Sequence, residues 1–140
     1  MSELVKNEWL VISLDPEIPV LMHRWLKEPD AETFKEQLVQ VQEKYLAVRD
    51  DFENLKWLAD TKLLGQRSFE EEQWLEETWE KLLFEDAGVK VHAVILGDDI
   101  FADYSMEKFK SIAAKRYKEA GVRLGVFLTE EDAIEWLKTN

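Results

Sequence analysis

The stretch Lys90–Leu128, KVHAVILGDDIFADYSMEKFKSIAAKRYKEAGVRLGVFL, decides the fold. Its two short apolar runs, Val91 to Leu96 and Val122 to Leu128, are rich in β-branched residues and bounded by turn residues. That is the pattern of parallel strands covered on both faces, not of half-wet antiparallel ones. Between them Met106, Phe109, Ala113, Tyr117 and Ala120 recur at three- and four-residue steps, which predicts an amphipathic helix over 105–120. Gly121 follows the last turn, where a left-handed C-terminal cap wants no Cβ. A strand–helix–strand unit of this length closes as a right-handed crossover in nearly every known case, so the two strands are expected to be parallel neighbours.

Working outward from that unit, EWLVISL and VLMHRWL read as strands near 9–14 and 20–26, joined by DPEIP as antiparallel neighbours. Asp30 caps a helix over 30–50 whose buried stripe is Phe34, Leu38, Val41, Tyr45 and Val48. A short strand at 55–59 (LKWLA) follows. Ser68-Phe-Glu-Glu71 is a capping box opening a helix over 68–86, with Phe69, Leu75, Trp79, Leu82 and Leu83 turned inward and Gly88 as its stop. Thr129-Glu-Glu-Asp132 opens a last helix over 130–138, with Ala133, Ile134 and Leu137 inward. The order β-β-α-β-α-β-α-β-α predicts a single α/β domain over 1–140: a five-stranded, mostly parallel mixed sheet with four main helices.

Composition bounds the function. Residues of apolar type make up 46% and charged ones 34% of the 140 residues, as in ordinary globular proteins. Without cysteine there is no disulfide, thiolate nucleophile or cysteine-ligated metal. No apolar run approaches the ~20 residues that span a bilayer, and MSELVKNEWLV lacks the basic and apolar regions of a signal peptide. A cytoplasmic protein is expected. The net charge of −12 opposes nucleic acid and anionic lipid as partners and favours a protein partner with a basic surface.

Taken together, WLAD at the end of the third strand, VILGDDIFADYSMEKF and GVRLGVFLTEEDAIEWL resemble the STAS-like superfamily, the sulfate-transporter and anti-sigma-factor-antagonist domains, and in particular its SpoIIAA-like branch. The resemblance covers nearly the whole chain. It implies a small regulatory module that binds a protein partner. Because the branch shares its fold with CRAL–TRIO domains, it also raises a second reading, a binding domain for a hydrophobic or lipid-like ligand. Antagonist domains carry a phosphorylatable serine or threonine at the start of the helix after the third strand. Ser68 holds that place here, but Arg67 stands where the motif has aspartate and Phe69 where it has a second small residue. Ser68 as an N-cap accounts for the residue without phosphorylation. Thr61, after Asp60 at a strand's C-terminal end, is the other candidate hydroxyl, on the edge where open α/β sheets bind ligands.

Asp98 and Asp99 lie in the turn after the fourth strand, with Asp103 beyond and Asp60 on the neighbouring strand. Hard cations use such oxygen clusters, but turn and cap chemistry accounts for these residues, and no metal site is expected. His92 reads as a core histidine bonded to backbone, and His23 as lying on the wetter face of its strand. No nucleophile motif, catalytic constellation, phosphate-cradling glycine loop or cofactor motif is present, so neither an enzyme nor a cofactor-binding protein is expected. Six tryptophans are an unusual number. Trp74 and Trp136 lie at or off the margins of their helical stripes, and exposed tryptophan favours interfaces, so a homodimer at high concentration is expected. The helix from Ser68 is strongly acidic and the next one basic, a bipolar surface suited to an oppositely patterned protein.

Overall fold

The computed structural model describes residues 1–97 and 102–140, with the side chains of all of these except 102–106. The chain runs β1 (Ser2–Lys6), β2 (Leu10–Asp15), β3 (Val20–Trp25), α1 (Ala31–Val48), β4 (Lys56–Asp60), α2, β5 (Val91–Ile95), α3 (Ala102–Ala120), β6 (Arg123–Phe127) and α4 (Glu130–Thr139). Helix α2 starts as Phe69–Trp74 and continues through two π-helical segments, Leu75–Trp79 and Leu82–Asp86. One mixed sheet takes all six strands in sequence order. The pairs β1–β2 and β2–β3 are antiparallel, and β3–β4, β4–β5 and β5–β6 are parallel. The fold is therefore α/β with a mixed sheet and four main helices, as expected, but with six strands instead of five.

The missed strand is β1. Its sequence, SELVK, is exposed at four of five positions, so no apolar alternation announces it. Backbone pairing to β2 holds it at the sheet edge.

Sequential strand order has a consequence for layering. Each crossover steps across the sheet in the same direction, so a common right hand places α1, α2 and α3 on one face. On that face the α1 residues Phe34, Leu38 and Tyr45 and the α2 residues Trp79 and Leu83 bury Leu21, Trp25 and Trp57 of the sheet, and Tyr117 of α3 reaches His92. Helix α4 follows the last strand and is free of that constraint. It covers the opposite face, with Ala133 and Leu137 on Leu58, Ala93 and Ile95. Buried Lys56 donates from Nζ to the Leu137 carbonyl in the last turn of α4, where positive charge suits the helix dipole.

Helix α2 is built on a four-residue repeat. Glu71, Trp79, Leu83 and Ala87 are buried, with Leu75 partly so. In an α-helix a four-residue step drifts by about 40° each time. The π turns, with i→i+5 bonds such as Glu80 N–H to Leu75 O, absorb that drift and keep the row facing the sheet. Phe69, expected inward, falls outside this row and is 77% exposed. Helix α3 begins at Ala102, earlier than the expected 105.

Caps follow the sequence closely. Asp30 Oδ1 accepts from Thr33 N–H at 2.8 Å, Thr129 Oγ1 from Asp132 N–H at 3.2 Å, and Gly121 takes φ +73° after α3. Gly125 of β6 lacks a Cβ for a packing reason. A Cβ there would lie 2.7 Å from the Phe127 ring and 3.0 Å from Trp136. Gly125→Ala is therefore expected to destabilise the protein by about 1–3 kcal/mol through overpacking. Urea unfolding followed by tryptophan fluorescence checks this, and an unchanged midpoint would show that Phe127 and Trp136 yield freely.

Candidate functional site

Asp60, Thr61, Arg67 and Ser68 all lie on or beside the loop from β4 to α2, at the carboxyl edge of the parallel strands. In open α/β sheets a ligand crevice forms at that edge where strand order reverses. Strand order never reverses in this sheet, so the loop forms a surface and not one wall of such a crevice.

Asp60 closes β4 with its side chain only 1% exposed. Its Oδ2 pairs with Arg24 Nε at 3.2 Å and Lys62 Nζ at 3.6 Å, and Oδ1 accepts from Lys62 N–H at 3.1 Å. Arg24 also reaches Glu130 at 2.8 Å, joining the starts of the loop and of α4. A buried carboxylate so surrounded is a paired charge that holds the loop's first residue in place. Thr61 sends both its N–H and its Oγ1–H to the Ile95 carbonyl, at 2.9 and 2.6 Å, so its hydroxyl is committed to β5.

At the far end of the loop, Arg67 is 9% exposed at its side chain. Its guanidinium donates to Glu71 at 2.8 Å, to the Pro29 carbonyl at 3.1 Å, and to Glu28 and the Leu64 carbonyl at 3.3 Å, and it lies over the Phe34 ring. These contacts tie the loop to the start of α1 and leave the cation little capacity for a phosphate. Ser68 forms the capping box seen in the sequence. Its Oγ accepts from Glu71 N–H at 3.1 Å and donates to Glu71 Oε1 at 3.0 Å, while that oxygen also accepts from Ser68 N–H at 3.2 Å. Burial would raise the Glu71 carboxyl, but the Ser68 hydrogen bonds and the Arg67 charge together hold it below the usual carboxylate range. Asp98 and Asp99 lie outside the described residues, and among the described residues no three acidic or histidine groups gather to hold a metal ion.

The two histidines stand in the core instead. His23 is 3% exposed, contrary to the wetter face expected of it, because its strand is covered on both sides. Trp57 Nε1–H donates to His23 Nδ1 at 2.9 Å. Indole can only donate, so His23 is held with its proton on Nε2. His92 is buried as expected, but its Nδ1 bonds the Tyr117 hydroxyl at 2.8 Å and not backbone. Burial lowers both imidazoles to about 3, His23 with a further contribution from His92. Burial also raises the Tyr117 phenol, with Glu80 adding to the effect. These groups are neutral, committed to one another and remote from solvent, so they form a polar framework and not a reacting pair.

The sequence misplaced the exposed apolar groups. Trp74 stacks on Trp79 and meets Phe34 edge-on, and Trp136 leans on Phe127, so both are largely spent on packing. Phe69 at 77% and Leu63 at 58% exposure are the large apolar side chains left bare on and next to the β4–α2 loop. The four-residue repeat from Glu71 to Ala87 would have shown that Phe69 lies off the buried row. Comparison of the chain with protein-family models, curated proteins and solved structures found no match.

Two outcomes follow from this geometry. Ser68→Ala is expected to cost about 1 kcal/mol. Ser68→Asp should cost at least as much, because it sets a carboxylate where the hydroxyl now donates to Glu71. Thermal unfolding of the two variants decides this, and an aspartate variant as stable as wild type would contradict it. The histidines set an acid limit. Each stays neutral in the fold down to about 3, whereas in the unfolded chain it takes a proton near its ordinary 6.5. Their stabilisation is complete above the unfolded value and falls as pH drops below it, by up to about 1.4 kcal/mol per pH unit for each histidine. Denaturant titrations at stepped pH should show that slope between 6.5 and 3, while half the slope would mean that one imidazole charges within the fold and a flat profile that both do.

Proposed function

We propose that this chain is a protein-interaction module of the regulatory kind, acting in the cytoplasm and docking its partner on the β4–α2 loop. The observation that carries this reading is the pairing of rigidity with exposure. The loop is fixed by Asp60, Thr61, Arg67 and the Ser68 box, yet it presents Leu63 and Phe69 to water. A bare aromatic on a preorganised loop loses little conformational entropy on binding and makes a strong interface anchor. The resemblance to STAS-like antagonist domains supports the same location. Regulation by phosphate on Ser68 is disfavoured, since the added charge would face Glu71 directly and Glu70 and Glu72 nearby.

The space a hydrophobic ligand would need under the helices is taken by the protein's own rings. Trp57 stacks on Tyr45 at 5.0 Å and meets Trp79 at 5.5 Å, and Trp25 stacks on Phe34 at 5.8 Å. Two open surface grooves, about 410 and 450 Å³, are lined mainly by charged side chains.

Affinity capture from the native host tests the proposal. Wild type, Phe69→Ser and Leu63→Ser are compared after circular dichroism has shown that all three fold. A partner retained by wild type should be lost at least tenfold from the Phe69 variant, the loss expected of an aromatic hot spot. Equal retention by all three would remove the loop as the docking site.

A further inference from the structure

We propose that the occupant of this docking face is the basic face of α3 on a second copy of the chain; this rests on the docking reading above. The observation behind it is that the molecule carries two exposed stripes that complement each other. On α2, Phe69, Glu72 and Glu76 share a stripe at three- and four-residue steps, and all three are exposed. On α3, Lys108, Ile112 and Lys115 share a stripe at steps of four and then three residues and are likewise exposed, Ile112 at 53%. The first stripe sets Phe69 next to acidic Glu72, and the second sets Ile112 between basic Lys108 and Lys115, with Glu119 one step further on.

The charges on α3 are only partly used within the chain. Arg116 turns to α2 and grips Glu80 at 2.7 and 2.9 Å. Among the described residues Lys115 reaches only Glu119 of its own helix, at 3.9 Å, and its side chain is 85% exposed. An exposed pair at that distance holds it weakly. With the two helices running in the same direction, a second copy can offer Glu72 to Lys115, each one turn beyond its apolar residue, while Phe69 and Ile112 cover one another. Pairing the acidic stripe with its own counterpart would set glutamate against glutamate, so unlike stripes must meet. The overall charge of −12 repels two copies at a distance, but at physiological salt the Debye length is about 8 Å. Local complementarity then decides the contact.

The contact joins different surfaces, so it can be tested by complementation. Two variants suffice, Phe69→Ser for the acidic stripe and the double change Ile112→Ser with Lys115→Glu for the basic one. All three changes are at exposed positions and leave the core intact. Sedimentation velocity at physiological salt, from micromolar to millimolar protein, should show that wild type associates reversibly. Each variant alone should be monomeric or at least tenfold weaker. An equimolar mixture of the two should form a mixed pair, because one intact stripe of each kind remains. A wild type that stays monomeric throughout, association that neither variant weakens, or a mixture that fails to pair would each overturn the proposal. If the second copy fails while Phe69-dependent capture of another protein persists, the docking reading stands and only the occupant is wrong. Loss of both would remove the docking site itself.

Discussion

The hydrogen bond from the Trp57 indole to His23 is the constraint around which the rest of the core is arranged. Trp57 is the second residue of β4 and is fully buried. Its N–H cannot reach water, and an unsatisfied buried donor costs about 1–3 kcal/mol. An imidazole on the next strand meets the need, at the cost of burying a titratable ring that must stay neutral. Around the indole, Tyr45 stacks while Trp79, His23 and His92 present edges. Such a hub sets the spacing of α1 and α2 over the sheet, since each contributes a ring that fits only one orientation.

The polar chain extends outward from that hub. His92 lies beside Trp57 in register on β5 and bonds Tyr117 of α3, so the third helix is located by a hydrogen bond as well as by packing. Beyond it, Arg116 fastens α3 to α2 through Glu80. Satisfied polar groups of this kind specify one arrangement of the layers, which apolar packing alone leaves more degenerate. The same economy governs the carboxyl edge. Asp60, Arg67 and Thr61 are there to fix a loop, and their polar groups are engaged within the chain. The large apolar side chains left exposed there are Leu63 and Phe69. The loop's surroundings are acidic, through Glu70 and Glu72.

Much of this was legible in the sequence because it depends on neighbours along the chain. Three helix starts were visible from cap residues, since capping is a bond across three residues. The parallel pairing of β5 and β6 followed from one crossover. The stripe on α1 followed from a period of 3.6 residues, and the loop carrying Asp60 to Ser68 followed from turn chemistry and resemblance. In contrast, β1 has no side-chain signature, because this edge strand is held mainly by backbone pairing, with only Val5 packed on the core.

The sequence by itself determined the α/β class, the order of all elements but β1, and the capping box at Ser68. These are local or nearest-neighbour effects, written in residue type and spacing. Only the tertiary structure decided which face each helix covers, that His23 is buried under Trp57, that Arg67 is spent on Glu28, Pro29 and Glu71, and that Phe69 stands in water. Each of those depends on groups far apart in the chain meeting across the sheet. For Phe69 it depends also on π turns that let a four-residue row face the core and leave the first helical residue outside it.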